Sequence, residues 1–99
     1  MEILKKLDGS ELTISLVGEL NSSTAPELDK LISESLKGVT TLIFDFEKLD
    51  YLSSAGLRIL LVSQKAMDKQ GKMIVRHVNE EIMDILSMTG FVSILTIEN

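Results

Sequence analysis

The chain of 99 residues has no cysteine and no tryptophan, and only one proline and one histidine. Each scarcity removes a class of function. Without cysteine there is no disulfide framework, no thiol nucleophile and no thiolate metal site. The lone imidazole, His77, stands beside Val75 and Val78 at the end of a predicted strand. There it reads as a partly exposed strand residue rather than a general base. No pair of His, Asp or Glu has metal-ligand spacing on one element, so no metal is expected. No apolar run is long enough to cross a bilayer. The opening Met1-Glu2-Ile3-Leu4-Lys5-Lys6 sets charge on both sides of a short apolar pair where a signal peptide needs a longer core. The expected location is therefore the cytoplasm, with no direct membrane insertion. Positive charge is also short: 10 Lys and Arg against 15 Asp and Glu give a net charge of −5. Lys5, Lys6, Arg58, Lys65, Lys69, Lys72 and Arg76 form no basic stripe, which argues against nucleic acid as a partner.

What is present suffices for one core. Hydrophobic residues make up 44% of a chain too short for two cores, so residues 1–99 are read as a single domain. Glu2 to Leu7 and Ser10 to Val17 flank Asp8-Gly9, which predicts a two-residue hairpin turn and two antiparallel strands. Leu12, Ile14 and Leu16 alternate with Thr13 and Ser15, as a strand with one face on the core requires. Lys5 and Lys6 mark a solvent-side edge. Thr24 and Glu27 have capping-box spacing, with Pro26 in the first turn, so a helix is expected from about Ala25 to Gly38. Thr40 to Phe46 is a nearly continuous apolar run and is placed at the centre of the sheet. A second, more deeply buried helix is expected from Ser54 to about Lys69, with Leu57, Leu60, Leu61 and Gln64 on its inner row and Ile59, Val62 and Ala66 widening the apolar sector. A strand over Met73 to Val78 follows. Asn79 is a fitting N-cap for a third helix, Gly90 its terminator, and Val92 to Ile97 a final strand. Strands alternating with helices after a hairpin imply one small mixed sheet: an antiparallel start, then parallel β-α units, covered by about three helices in an α/β fold.

The segment from Phe44 to Leu57 carries the most chemistry. It reads as a buried strand, a tight turn bearing Ser53 and Ser54, and a helix start. Unpaired N–H groups in a first helical turn, with the helix dipole, favour an anion at that point. Paired serines at a helix start are commonly plain caps. A nucleophile elbow is the other local reading, but Leu52-Ser53-Ser54-Ala55-Gly56 lacks the first glycine of that motif and has no base to orient. No enzymatic activity and no cofactor are therefore expected. Asp45 interrupts the buried strand. Either it helps position a charged group near the turn or it makes a structural hydrogen bond to loop amides.

These residues resemble the STAS domain, and within it the bacterial anti-sigma factor antagonists. The resemblance runs through Gly18-Glu19-Leu20-Asn21, Thr24-Ala25-Pro26-Glu27-Leu28, Leu42 to Phe46, Leu49 to Leu57, Gly71-Lys72-Met73 and Met88-Thr89-Gly90-Phe91, and so covers nearly the whole chain. It implies the STAS fold and a phosphoacceptor at Ser54, with Ser53 as the secondary candidate. It also implies a partner-binding face drawn from Asn21, Ser22, Thr24, Ser53, Ala55, Gly56, Leu57 and Arg58, with Asp45 supporting the loop. The chain departs from the family pattern where members often carry Asp before the acceptor and Ser or Thr after it; here Ser53 and Ala55 stand there, and Asn21 replaces a common Asp. The implied function is partner switching. The unphosphorylated protein binds an anti-sigma factor serine kinase and frees the sigma factor; phosphorylation breaks the complex, and a serine phosphatase resets it. The alternative is a non-phosphorylated STAS scaffold or accessory subunit of a transport or signalling complex.

Overall fold

Alternation of apolar and polar side chains sets the layers of the molecule. In the computed structural model, which describes residues 1–98, the elements are β1 (Glu2–Asp8), β2 (Glu11–Leu20), α1 (Ala25–Ser35), β3 (Thr41–Leu52), α2 (Ser54–Asp68), β4 (Lys72–Arg76), α3 (Glu80–Met88), a 3-10 turn (Phe91–Ser93) and β5 (Ile97–Glu98). The five strands lie in the order β1-β2-β3-β4-β5, with β1 antiparallel to β2 and every other pair parallel. Leu12, Ile14 and Leu16 of β2, Leu42, Phe44 and Phe46 of β3, and Met73 and Val75 of β4 form one face. They share a core with Leu28 and Ile32 of α1, Leu57 and Leu60 of α2, and Ile82 and Leu86 of α3. Residues of the other parity fill the opposite face, where Ser15, Asp45, Arg76 and Glu98 stand in one row of the register. This is the expected mixed sheet with three helices. Among the described residues no helix is long and apolar enough to cross a membrane.

Several boundaries differ from the sequence reading, each for a local reason. Asp8 pairs with Glu11, so the hairpin turn is Gly9-Ser10, one residue later than expected. The second strand runs on to Leu20, and β3 continues to Leu52 instead of turning after Phe46. Glu47, Lys48 and Asp50 look like a loop in sequence because this half of β3 shows one side to solvent. Two register shifts against β2, at Ser15/Val17 and Gly18/Glu19, each insert one extra residue into β3, and the buried positions become Phe46, Leu49 and Leu52. Val62 does not widen the buried sector of α2, being 52% exposed. The final strand shrinks to Ile97–Glu98 because Phe91 to Leu95 coil: Leu95 N–H donates to the Phe91 carbonyl at 2.9 Å. Helical spacing brings Phe91 and Leu95 to the core together and leaves Val92 and Ile94 outside. The fourth strand stops at Arg76, and His77 lies beyond it in a left-handed conformation (φ 58°).

Candidate functional site

The site is built where β2 and β3 end and α2 begins. Ser53 N–H donates to the Leu20 carbonyl at 2.9 Å, which ties the turn to the end of β2. Ser53 then takes extended N-cap angles (φ −92°, ψ 178°), and its carbonyl accepts the first helical bond, from Leu57 N–H at 3.0 Å. Its hydroxyl caps nothing: Oγ is buried and has no hydrogen-bond partner. The N–H groups of the first turn, at Ser54, Ala55 and Gly56, thus receive no side-chain cap. Ser54 is the first residue of the helix and is exposed. Gly56 lets the helix come this close to the sheet: a Cβ there would lie 2.5 Å from Leu52 Cδ1 and 2.8 Å from Leu20 Cγ.

The neighbouring loop is organised by Asn21 rather than by a capping box. Asn21 Oδ1 accepts from Ser23 N–H at 2.9 Å and Thr24 N–H at 3.2 Å, an Asx turn. Thr24 Oγ1 accepts from Asn21 N–H at 2.9 Å and donates to the Glu19 carbonyl at 2.9 Å. With its hydroxyl committed backwards, Thr24 makes no cap bond to α1, so the expected Thr24–Glu27 box is absent. Asn21 and Thr24, both half-buried, hold the loop in shape.

Between the two helices lies an open groove of about 480 Å³, walled by Ser22, Pro26 and Asp29 on one side and Arg58, Ile59 and Val62 on the other. Ala55 forms part of its lining beside Ser54. Of the residues expected on the partner face, Ser22, Ala55 and Arg58 border this groove. Gly56 and Leu57 turn inward; Leu57 is only 8% exposed, so both fix the position of α2 and leave contact to their neighbours. The exposed Val62 and Asp29, the acidic counterpart of Arg58 across the groove, were not among the residues expected on the partner face. Helical spacing from Ser54 through Arg58 (54, 58, 62) is the signal that could have found Val62.

Asp45 belongs to a different place. Its Oδ1 accepts from Glu47 N–H at 3.0 Å at the first β3 irregularity, and it also pairs with His77 Nδ1 at 3.0 Å. The structural hydrogen bond is thus the role seen, and it supports the bulge rather than the serine turn. Partial burial works against the ionised carboxylate. The hydrogen bonds from His77 and the Glu47 amide, with the charges of His77 and Arg76, outweigh it and hold the Asp45 carboxyl below its usual range. Glu47 stands nearby, and one ligand-capable atom from each of Asp45, Glu47 and His77 lies within 4.8 Å of the others. Nothing in the sequence announced this cluster, because His77 lies 32 positions from Asp45 along the chain.

The site is thus an exposed serine on an uncapped helix start, above a groove, on a five-stranded mixed sheet that shares one core with the three helices. The STAS domain family model matches residues 2–99, and the chain belongs to that family. Within it the chain groups with the anti-sigma factor antagonists. BtrV of Bordetella bronchiseptica, whose name assigns it to that group, is 34% identical over 98 residues, covering 97% of this chain and 84% of BtrV. An anti-sigma factor antagonist from Mycobacterium paratuberculosis has the same fold (TM-score 0.88, 22% identity, 97% of this chain and 83% of that one). The Bacillus cell fate determinant SpoIIAA shares it in both forms. The unphosphorylated form gives a TM-score of 0.79 at 19% identity (99% and 88% coverage), and the phosphorylated form 0.78 at 20% (99% and 92%).

Proposed function

We propose that the protein is a partner-switching anti-sigma factor antagonist whose acceptor is Ser54. In its unmodified state it binds an anti-sigma factor serine kinase and so releases the sigma factor, in the cytoplasm. The observation that carries this reading is the exposed hydroxyl of Ser54 on the first, uncapped turn of α2, beside the groove between α1 and α2. Exposure favours Ser54 over Ser53, whose Oγ is buried. In the kinase complex, Ser54 Oγ attacks the γ-phosphorus of ATP. The new Oγ–P bond forms as the bond from phosphorus to the ADP oxygen breaks, and the hydroxyl proton passes to a base on the kinase. A metal-dependent serine phosphatase reverses the modification: water attacks phosphorus, the Oγ–P bond breaks, inorganic phosphate leaves and Ser54 regains a proton.

The charge change is large for so small a surface. Phosphate adds about −1.5 to −2 charges to a chain already at −5. At a packed interface it displaces apolar contact and repels acidic neighbours, and each 1.4 kcal/mol lost weakens binding about tenfold. SpoIIAA, solved in both phosphorylated and unphosphorylated forms, lends the switch support by likeness of fold. Incubation with the cognate kinase and ATP, followed by mass mapping, should find phosphate on the peptide carrying Ser54. A kinase that binds firmly yet leaves Ser54 and Ser53 unmodified overturns the switch. In calorimetry Ser54→Ala should keep kinase binding and Ser54→Asp should weaken it.

A further inference from the structure

We infer that Arg58 seats the phosphoryl group of modified Ser54 and, in doing so, leaves the wall of the α1–α2 groove. The inference rests on the reading of Ser54 as the acceptor and adds the residue that would make its modification felt along the groove. Ser54 and Arg58 are four residues apart on α2. In a helix that places them on one face, about 6 Å along the axis and about 40° apart around it. An anion on the N-terminal side of a cation is the favoured orientation of such a pair, and here the anion also complements the positive end of the helix.

Arg58 is also available. It is exposed, and among the described residues it makes no ion pair and no hydrogen bond. The chain's other arginine, Arg76, is already held by Glu98 at 3.4 Å. A guanidinium offers a planar fork of donors that matches two phosphate oxygens at once, which a lysine cannot do. The free N–H groups of Ala55 and Gly56 approach the same group from the helix end. One phosphoryl group on Ser54 would therefore be gripped from two sides by its own helix.

The consequence reaches the groove. In the unmodified protein its charged walls are Arg58 and Asp29, one of each sign. Drawing Arg58 up to the phosphate leaves Asp29 facing Ile59 and Val62 without a cation opposite. A partner that docks an acidic or apolar side chain into the unmodified groove then meets an anionic one.

The test uses the full chain with phosphoserine installed at position 54 during translation, so no kinase is needed. Phosphorus NMR follows the second ionisation of the phosphate, which lies near pH 6 in the absence of partners. The midpoint in the Arg58 protein should fall about 0.2–0.4 of a pH unit below that in Arg58→Gln. Arg58→Lys should restore part of the difference, and added salt should narrow it. The Arg58 Nε–H resonance should move on phosphorylation. Equal midpoints in all three proteins with an unmoved Nε–H resonance overturn the clamp. The two readings fail separately. A kinase that ignores Ser54 defeats the acceptor assignment without touching the titration, whereas equal midpoints in a protein the kinase does modify defeat the clamp alone.

Discussion

Replacing Gly56 with alanine tests how α2 is set on the sheet. The added Cβ would stand 2.5 Å from Leu52 Cδ1, 2.8 Å from Leu20 Cγ and 2.9 Å from Leu20 Cδ2. Those leucines are 1% and 0% exposed, so neither side chain has free space to swing into. Forcing a methyl into a filled core costs about 1–3 kcal/mol. Alanine returns up to about 1 kcal/mol of helix propensity, leaving a net loss of about 1–2 kcal/mol. In a domain of this size each kcal/mol is about 4–8 °C in Tm, so calorimetry should record a fall of about 5–15 °C. Urea titration should show a lower midpoint with an unchanged slope. Shortening Leu20 supplies the missing room. The double variant Gly56→Ala, Leu20→Ala should be more stable than the sum of the single losses predicts, by about 1 kcal/mol. A Gly56→Ala protein that melts at or above the wild-type temperature refutes the close approach of α2 to Leu20 and Leu52.

Two further perturbations test the supports around the site. Asn79→Ala removes the cap on Ile82 N–H (2.8 Å) and the tie to the Leu49 carbonyl (2.9 Å); the expected cost is about 1–2 kcal/mol, read as a Tm drop of about 5–15 °C, and an unchanged Tm contradicts it. Asp45→Asn should flatten the acid side of the stability profile. The folded carboxyl lies below its ordinary range, so its contribution is present above the unfolded pKa, near 4, and is lost as pH falls through the lower folded value. Thermal melts between pH 7 and 2 should therefore show the wild type losing more stability than Asp45→Asn, and parallel curves count against the His77 and Glu47 contacts as the cause.

The legible parts of the fold were those written in short-range patterns. Alternation at Leu12, Ile14 and Leu16 and the apolar run at Leu42 to Phe44 placed the inner strands correctly, and Asn79 was identified as the cap it is. Patterns with two readings were misjudged. Phe91 to Leu95 suits a strand or a coil, and the turn after Gly90 decides for the coil. Asn21, Thr24 and Glu27 carried signals for both an Asx turn and a capping box; the bond from Thr24 Oγ1 to the Glu19 carbonyl favours the turn. Of the site, the exposed serine on a helix start could be read directly. The groove could not, since it needs α1 and α2 side by side, and the Asp45–His77 pair spans 32 positions. No local rule relates residues so far apart.

The two surplus residues in β3 work as paired phase shifts. One insertion reverses which way every later side chain points, and the second restores the original sense, so Phe46 and Leu52 both point inward across a stretch two residues too long. A natural or engineered deletion of a single residue between Glu47 and Asp50 would leave one reversal uncompensated and deliver Ser54 to the wrong side of the sheet. Loss of both would keep the sense and only shorten the strand. Length variation in this segment is thus tolerable in steps of two, a parity constraint that the exposed, polar character of Glu47, Lys48 and Asp50 conceals.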